Sequence, residues 1–96
     1  MKVTIGYLGY IKQTLGLTHA ENLEIKTNAS VHDLLVVLAE KHGEPFKKAV
    51  YHPEDKELQP HHILAINGLM VNLLNGLDTK LKKGDRVTIM PVVTGG

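Results

Sequence analysis

The residues with the clearest chemical potential are Gly95 and Gly96, which follow Met90-Pro91-Val92-Val93-Thr94. An α-carboxylate on Gly96 has an ordinary pKa of about 3.3–3.7, so at neutral pH it is an anion and a poor electrophile that must be activated before it reacts. Two residues without a Cβ let an extended backbone enter a narrow channel and lay that carbonyl against a nucleotide or another reactive group. The chain has no cysteine, which excludes disulfides, thiolate metal sites, persulfide chemistry and a Cys nucleophile within it. Any sulfur it handles must be held by other atoms.

The remaining candidates are weaker. Six histidines include His52, His61 and His62, a spacing that invites a metal. Adjacent strand residues point oppositely and there is no second cluster, so no metal site is expected. Lys47-Lys48 and the group Lys80, Lys82, Lys83 and Arg86 form local basic patches. They read as solvated faces whose best functional use is steering toward an acidic partner surface. No Ser-His-Asp set, paired carboxylates or Gly-rich phosphate loop after a strand can be placed. The expectation is a chain with no active site of its own, not an enzyme, that binds no cofactor stably.

Something must hold such a terminus. Ninety-six residues suffice for one core, here a single domain over 1–96 with a flexible tail at 94–96. An apolar fraction of 43% with 22% charged residues describes an ordinary globule, and a net charge of +1 gives no field that favours nucleic acid or membrane. The opening MKVTIGYLGYIKQ has neither the apolar core of a signal peptide nor a membrane-spanning run, so the cytoplasm is the expected compartment.

KVTIGYL alternates Val3, Ile5 and Tyr7 with Lys2, Thr4 and Gly6, the period of a half-buried strand. NLEIKT repeats that period, and the two are expected to pair as a hairpin across a Gly-containing loop. In ASVHDLLVVLAEKHG, Ser30 is the predicted N-cap with Asp33 three residues on. Val31, Leu34, Leu35 and Leu38 share a face, and Gly43 stops the helix. EPFKKAVYHPEDKELQPHH, with three prolines and many charges, reads as irregular structure with Phe46 and Val50 under the helix. ILAING is a buried strand ending in the hairpin signal Asn67-Gly68, and LMV begins the return. Turns follow at Leu77-Asp78-Thr79 and Gly84-Asp85, and RVTIMPVV is the last strand, with Val87 and Ile89 on one face and Pro91 limiting its pairing. The order strand, strand, helix, strand, short strand, strand predicts an α+β fold, the ubiquitin-like β-grasp. Its mixed sheet carries one main amphipathic helix on one face, with the first and last strands parallel at the centre. The apolar residues not needed under the helix, among Ile63, Ala65, Met70, Met90 and Val92, are expected on the free face of the sheet, where such a patch marks a partner site.

These residues resemble the sulfur-carrier family of the molybdopterin synthase small subunit and the thiamine-pathway carrier, the MoaD/ThiS family. The likeness rests on Ser30-Val31-His32-Asp33-Leu34-Leu35, Ala65-Ile66-Asn67-Gly68, the block from Gly76 to Asp85 with Val87 and Ile89, and Pro91 ahead of Gly95-Gly96. Length is similar to the molybdopterin branch. Two stretches depart from the family pattern. Tyr7-Leu8-Gly9-Tyr10 and Lys12-Gln13 stand where members usually carry Phe-Ala and Arg-Glu, and Met90 and Val92 replace a Phe and a Pro of the usual tail.

The resemblance implies a sulfur carrier that serves molybdenum or tungsten cofactor biosynthesis as the small subunit of molybdopterin synthase. Gly96, with Gly95 behind it, would be adenylated by an activating enzyme that uses ATP and magnesium. A sulfurtransferase persulfide would then convert it to a thiocarboxylate. It implies docking of the activating enzyme and the synthase large subunit through Met90, Val92, Val93, Thr94, Ile63 and Ala65. The alternatives it leaves are a ubiquitin-like modifier joined to lysines through Gly96, and a sulfur carrier for transfer-RNA thiolation.

Overall fold

The structure, a computed structural model, describes residues 1–17, 19–55, 57–58 and 62–91. Strand β1 (Lys2–Tyr7) leads to helix α1 (Tyr10–Leu15) and strand β2 (Glu21–Glu24). The main helix α2 (Val31–His42) is followed by α3 (Glu44–Ala49) and two short strands, β3 (Tyr51–His52) and β4 (Glu57–Leu58). Then come β5 (His62–Ile66), β6 (Leu69–Met70), 3-10 turns at Val71–Leu73 and Gly76–Asp78, and β7 (Arg86–Pro91). Five strands form one sheet in the order β2-β1-β7-β5-β6, and β3 pairs with β4 apart from it. This is the ubiquitin-like β-grasp.

The central pairing is the one the pattern requires. β7 runs parallel to β1, with Ile5 opposite Val87 and Tyr7 opposite Ile89, and antiparallel to β5, with Leu64 opposite Ile89 and Ile66 opposite Val87. Alternation then sends Val3, Ile5, Tyr7, Leu64, Ile66, Val87 and Ile89 to one face, where all are buried. Helix α2 covers that face with Val31, Leu34, Leu35, Leu38 and Ala39, each fully excluded from water. Burying a side chain of this size stabilises the fold by about 1.5–3 kcal/mol.

Local chemistry sets the ends of α2. Ser30 accepts a hydrogen bond from the Asp33 amide at 3.2 Å, and the Asp33 carboxylate accepts one from the Ser30 amide at 2.9 Å, a reciprocal capping box. The Ser30 amide holds the Asp33 carboxyl below the usual carboxylate range, with Lys26 adding to the effect. Gly43, at φ 73°, closes the other end. Asn67 and Gly68 both take positive φ, 51° and 87°, as a two-residue turn between β5 and β6 requires. β1 and β2 pair antiparallel as expected, but β2 spans Glu21–Glu24 rather than the longer NLEIKT run, and the connection holds α1.

The irregular reading of the segment after Gly43 is corrected. Glu44–Ala49 is a helix that begins with a proline in its first turn, has Glu44 at its start and carries Lys47 and Lys48 at its end. That arrangement suits a helix start and the helix dipole. Phe46 and Val50 are completely buried, as the apolar reading of those two positions demands. Tyr51 is also fully buried, with its hydroxyl 2.6 Å from His32 Nδ1 and its phenol pushed up by that burial. Tyr7, inside the sheet, has a buried hydroxyl without a hydrogen-bond partner among the described residues. Burial, and then the nearby Glu21 charge, drive its phenol well above the ordinary value.

Candidate functional site

Strand β7 delivers the chain toward Gly95-Gly96, and the fold fixes it from both sides. The Thr4 amide donates to Asp85 O and the Leu8 amide to Ile89 O, each at 3.0 Å, which carries the β1–β7 ladder one residue ahead of β7 and one residue past the end of β1. Pro91 has no amide hydrogen to give, and it stands opposite His62, the first residue of β5. Gly9 packs against it. A Cβ at Gly9 would lie 2.9 Å from Pro91 Cγ, and Gly9 has φ +65°, so a side chain is excluded by contact and by backbone geometry together. Next to Gly9, the Tyr10 hydroxyl lies 3.0 Å from His62 Nε2, with the rings edge to face at 5.9 Å. Gly9, Tyr10 and His62 therefore brace the last residue of β7. Val92, Val93, Thr94, Gly95 and Gly96 lie outside the described residues.

The face of the sheet turned away from α2 has two halves. On the β5–β6 side, Ile63 stands opposite Met90, and Ala65 is flanked by Thr88 and Met70. Met70 is 39% exposed and Ile63 and Met90 are half-buried, whereas Ala65 is only 4% exposed. The area this half offers to a partner thus comes from Met70, Ile63 and Met90, with Ala65 as floor between them. On the β1–β2 side the same face carries Lys2, Thr4 and Gly6, and Thr4 Oγ1 donates to Asn22 Oδ1 at 2.8 Å. Arg86 joins from β7.

His52 and His62 sit apart in the chain's pairing, one in the β3–β4 ribbon and one in β5, and His61 lies outside the described residues. Among the described residues no three His, Cys, Asp or Glu side chains gather to hold a metal ion. No helix among them is long and apolar enough to cross a membrane. The brace of Gly9, Tyr10 and His62 was not legible in the sequence, where Gly9 read only as a loop residue and His62 only as a weak metal candidate. The sole trace is that a glycine and an aromatic follow β1 one residue after its end.

Comparison with known proteins is consistent with this architecture. The model of the ThiS family matches residues 5–96. A protein of Archaeoglobus fulgidus, provisionally named a sulfur carrier protein, is 34% identical over 67 residues, which span 70% of this chain and 74% of that protein. The solution structure of small archaeal modifier protein 1 from Methanosarcina acetivorans is 25% identical with a TM-score of 0.77, over 99% of this chain and 96% of that one. A structure from Pyrococcus furiosus, provisionally named molybdopterin converting factor, subunit 1, is 31% identical with a TM-score of 0.71, over 97% of this chain and 99% of that one.

Proposed function

The chain belongs to the ThiS family, and from that premise we propose that it carries sulfur on Gly96 for molybdopterin synthesis, as the small subunit of a molybdopterin synthase. The observation that carries the reading is the reach of the family match, which runs from β1 through Gly95-Gly96. The Pyrococcus furiosus relative adds support for the molybdopterin branch.

The chemistry asks little of the domain itself. A Gly96 carboxylate oxygen attacks the α-phosphorus of ATP in the activating enzyme, pyrophosphate departs with magnesium neutralising its charge, and an acyl-adenylate forms. A persulfide sulfur of a sulfurtransferase then attacks the acyl carbon and AMP leaves. A thiol reductant cleaves the resulting acyl disulfide, leaving the thiocarboxylate. This chain supplies the carboxylate, a backbone slim enough to reach the nucleotide, and a docking face made by Met70, Ile63 and Met90 with the following Val92, Val93 and Thr94. Activation, ATP and magnesium belong to the partner enzyme, and the large subunit of the synthase accepts the sulfur.

Mass spectrometry of the protein purified from its own cells tests the reading. A terminal species heavier by one sulfur in place of one oxygen, consumed when a molybdopterin precursor and the large subunit are added, is the expected result. A second reading, a modifier joined to lysines through Gly96, is favoured by the likeness to the small archaeal modifier protein. Gly-Gly remnants on the lysines of other proteins, with no thiocarboxylate, would establish it in place of the first.

A further inference from the structure

The polar half of the open sheet face contains a cleft of about 120 Å³. Gly6 forms its floor, Thr88 stands beside it, and Lys12, His19 and Arg86 contribute to its walls. It sits toward the end of the sheet from which the chain leaves β7, since Gly6 pairs with Thr88 and Leu8, also in the wall, bonds to Ile89 O.

Three features make it more than a gap between side chains. The first is Gly6. A Cβ there would stand 3.1 Å from Arg86 Nη2, so the missing side chain is what lets the guanidinium lie over β1. The second is uncompensated charge: no carboxylate lines the cleft, and neither Lys12 nor Arg86 has an acidic partner among the described residues. Of the acids adjacent in sequence to the lining residues, Glu21 sits opposite Ile5 and turns to Lys41 and His42, and the Asp85 carboxylate accepts from Asn67 Nδ2 and the Lys82 amide. The third is size. The volume equals that of roughly four liquid waters, well under the 300–1,000 Å³ of a pocket for a drug-sized molecule.

We infer that this cleft binds a phosphoryl group. A phosphate carries a charge of about −1.5 to −2 at pH 7 and three strong acceptor oxygens. It matches one arginine fork, one ammonium, an imidazole and a hydroxyl better than a carboxylate, whose single charge leaves one cation unanswered. The group is either free phosphate or the phosphate of a nucleotide whose base lies outside the cleft.

Amide NMR of the full chain, titrated at constant ionic strength with inorganic phosphate, AMP, acetate and chloride, tests the site. Saturable shifts of Gly6, Leu8, Ala20 and Thr88 with phosphate or AMP are expected. Tighter binding of AMP assigns the group to a nucleotide and equal binding to free phosphate, and either supports the site. Arg86→Gln should weaken phosphate about tenfold, the loss expected for a charge-assisted hydrogen bond, and Gly6→Ala should weaken it by a similar factor because its Cβ displaces the Arg86 guanidinium, while Lys82→Gln, outside the cleft, changes it less than twofold. Gly6→Ala keeps every charge, so its loss reports the position of the guanidinium and not net charge, and the dispersion of each variant's amide spectrum reports its folding. Linear shifts without saturation, acetate or chloride binding as well as phosphate, or equal weakening by Lys82→Gln would overturn the inference. The readout involves no activating enzyme, so it stands or fails apart from the chemistry at Gly96.

Discussion

The two faces of the five-stranded sheet are made by alternate residues of the same strands, yet they follow opposite rules. On the inner face Val3, Ile5, Val87, Ile89 and Leu64 are fully excluded from water and meet the helix row Leu34, Leu35 and Leu38. On the outer face Lys2, Thr4, Gly6, Arg86, Thr88, Met90 and Ile63 alternate with them and point away from α2. A change on the inner face is paid for in stability, whereas the outer face can vary with its partners. One strand, β7, thus carries the fold with Val87 and Ile89, while Arg86, Thr88 and Met90 stand on the outer face, where the proposed recognition would fall. The difference teaches that a small carrier separates the two duties by strand period and not by region.

The sharpest way to test that division is at the end of β7, where stability and function should separate completely. Deleting Gly96 is expected to reduce ATP–pyrophosphate exchange with the activating enzyme to background while leaving the melting temperature unchanged. Normal adenylation of the shortened chain would remove the carrier reading. The inner face should behave in the opposite way. Leu38→Ala is expected to cost about 2–5 kcal/mol of stability, measured by urea unfolding, with adenylation per folded molecule unaltered. A cost near half a kcal/mol would mean that α2 does not seal this face.

Smaller effects sharpen the contrast. Met90→Asp is expected to weaken association with the activating enzyme or the synthase partner about tenfold, read by titration calorimetry, because it places a charge on an apolar contact. Its unfolding midpoint should stay close to that of the parent, since Met90 is only half-buried. Ser30→Ala should cost about 1 kcal/mol by removing one arm of the capping box. The Asp33 side of that box gives a pH signature. Its carboxyl titrates lower in the folded chain than in the unfolded one, so its stabilisation is complete above the unfolded value of about 4 and is lost as pH falls through the folded value. Parent and Asp33→Asn should therefore differ in the pH dependence of unfolding below about pH 4 and run parallel above it.

Much of the fold was legible because its signals are local. Ser30 with Asp33 fixes the start of α2, Gly43 its end, Asn67-Gly68 the hairpin, and the alternation around Ile5 and Val87 the two central strands. Helices α1 and α3 were not read, and the reason is length: six residues supply too few turns for a periodic signal, and such helices form through packing rather than propensity. Pro45 looked like a breaker when it was a first-turn residue. For the candidate site, Ile63, Met70 and Met90 followed from strand alternation, but the low exposure of Ala65 depends on Thr88 and Met70 beside it. The contacts of Gly6 with Arg86 and of Gly9 with Pro91 join positions almost a chain length apart. No window of sequence contains them.

The parallel pairing of β1 with β7 has a consequence for the life of the protein. The central strand of the sheet follows all four of its sheet-mates in the chain, so a nascent chain lacking Arg86–Pro91 holds two separate strand pairs with no strand to join them. The apolar rows of β1 and β5 then have no common core, and a chain interrupted before β7 stays open to proteases. The sheet thus closes only when β7, the last of its strands in chain order, has been synthesised.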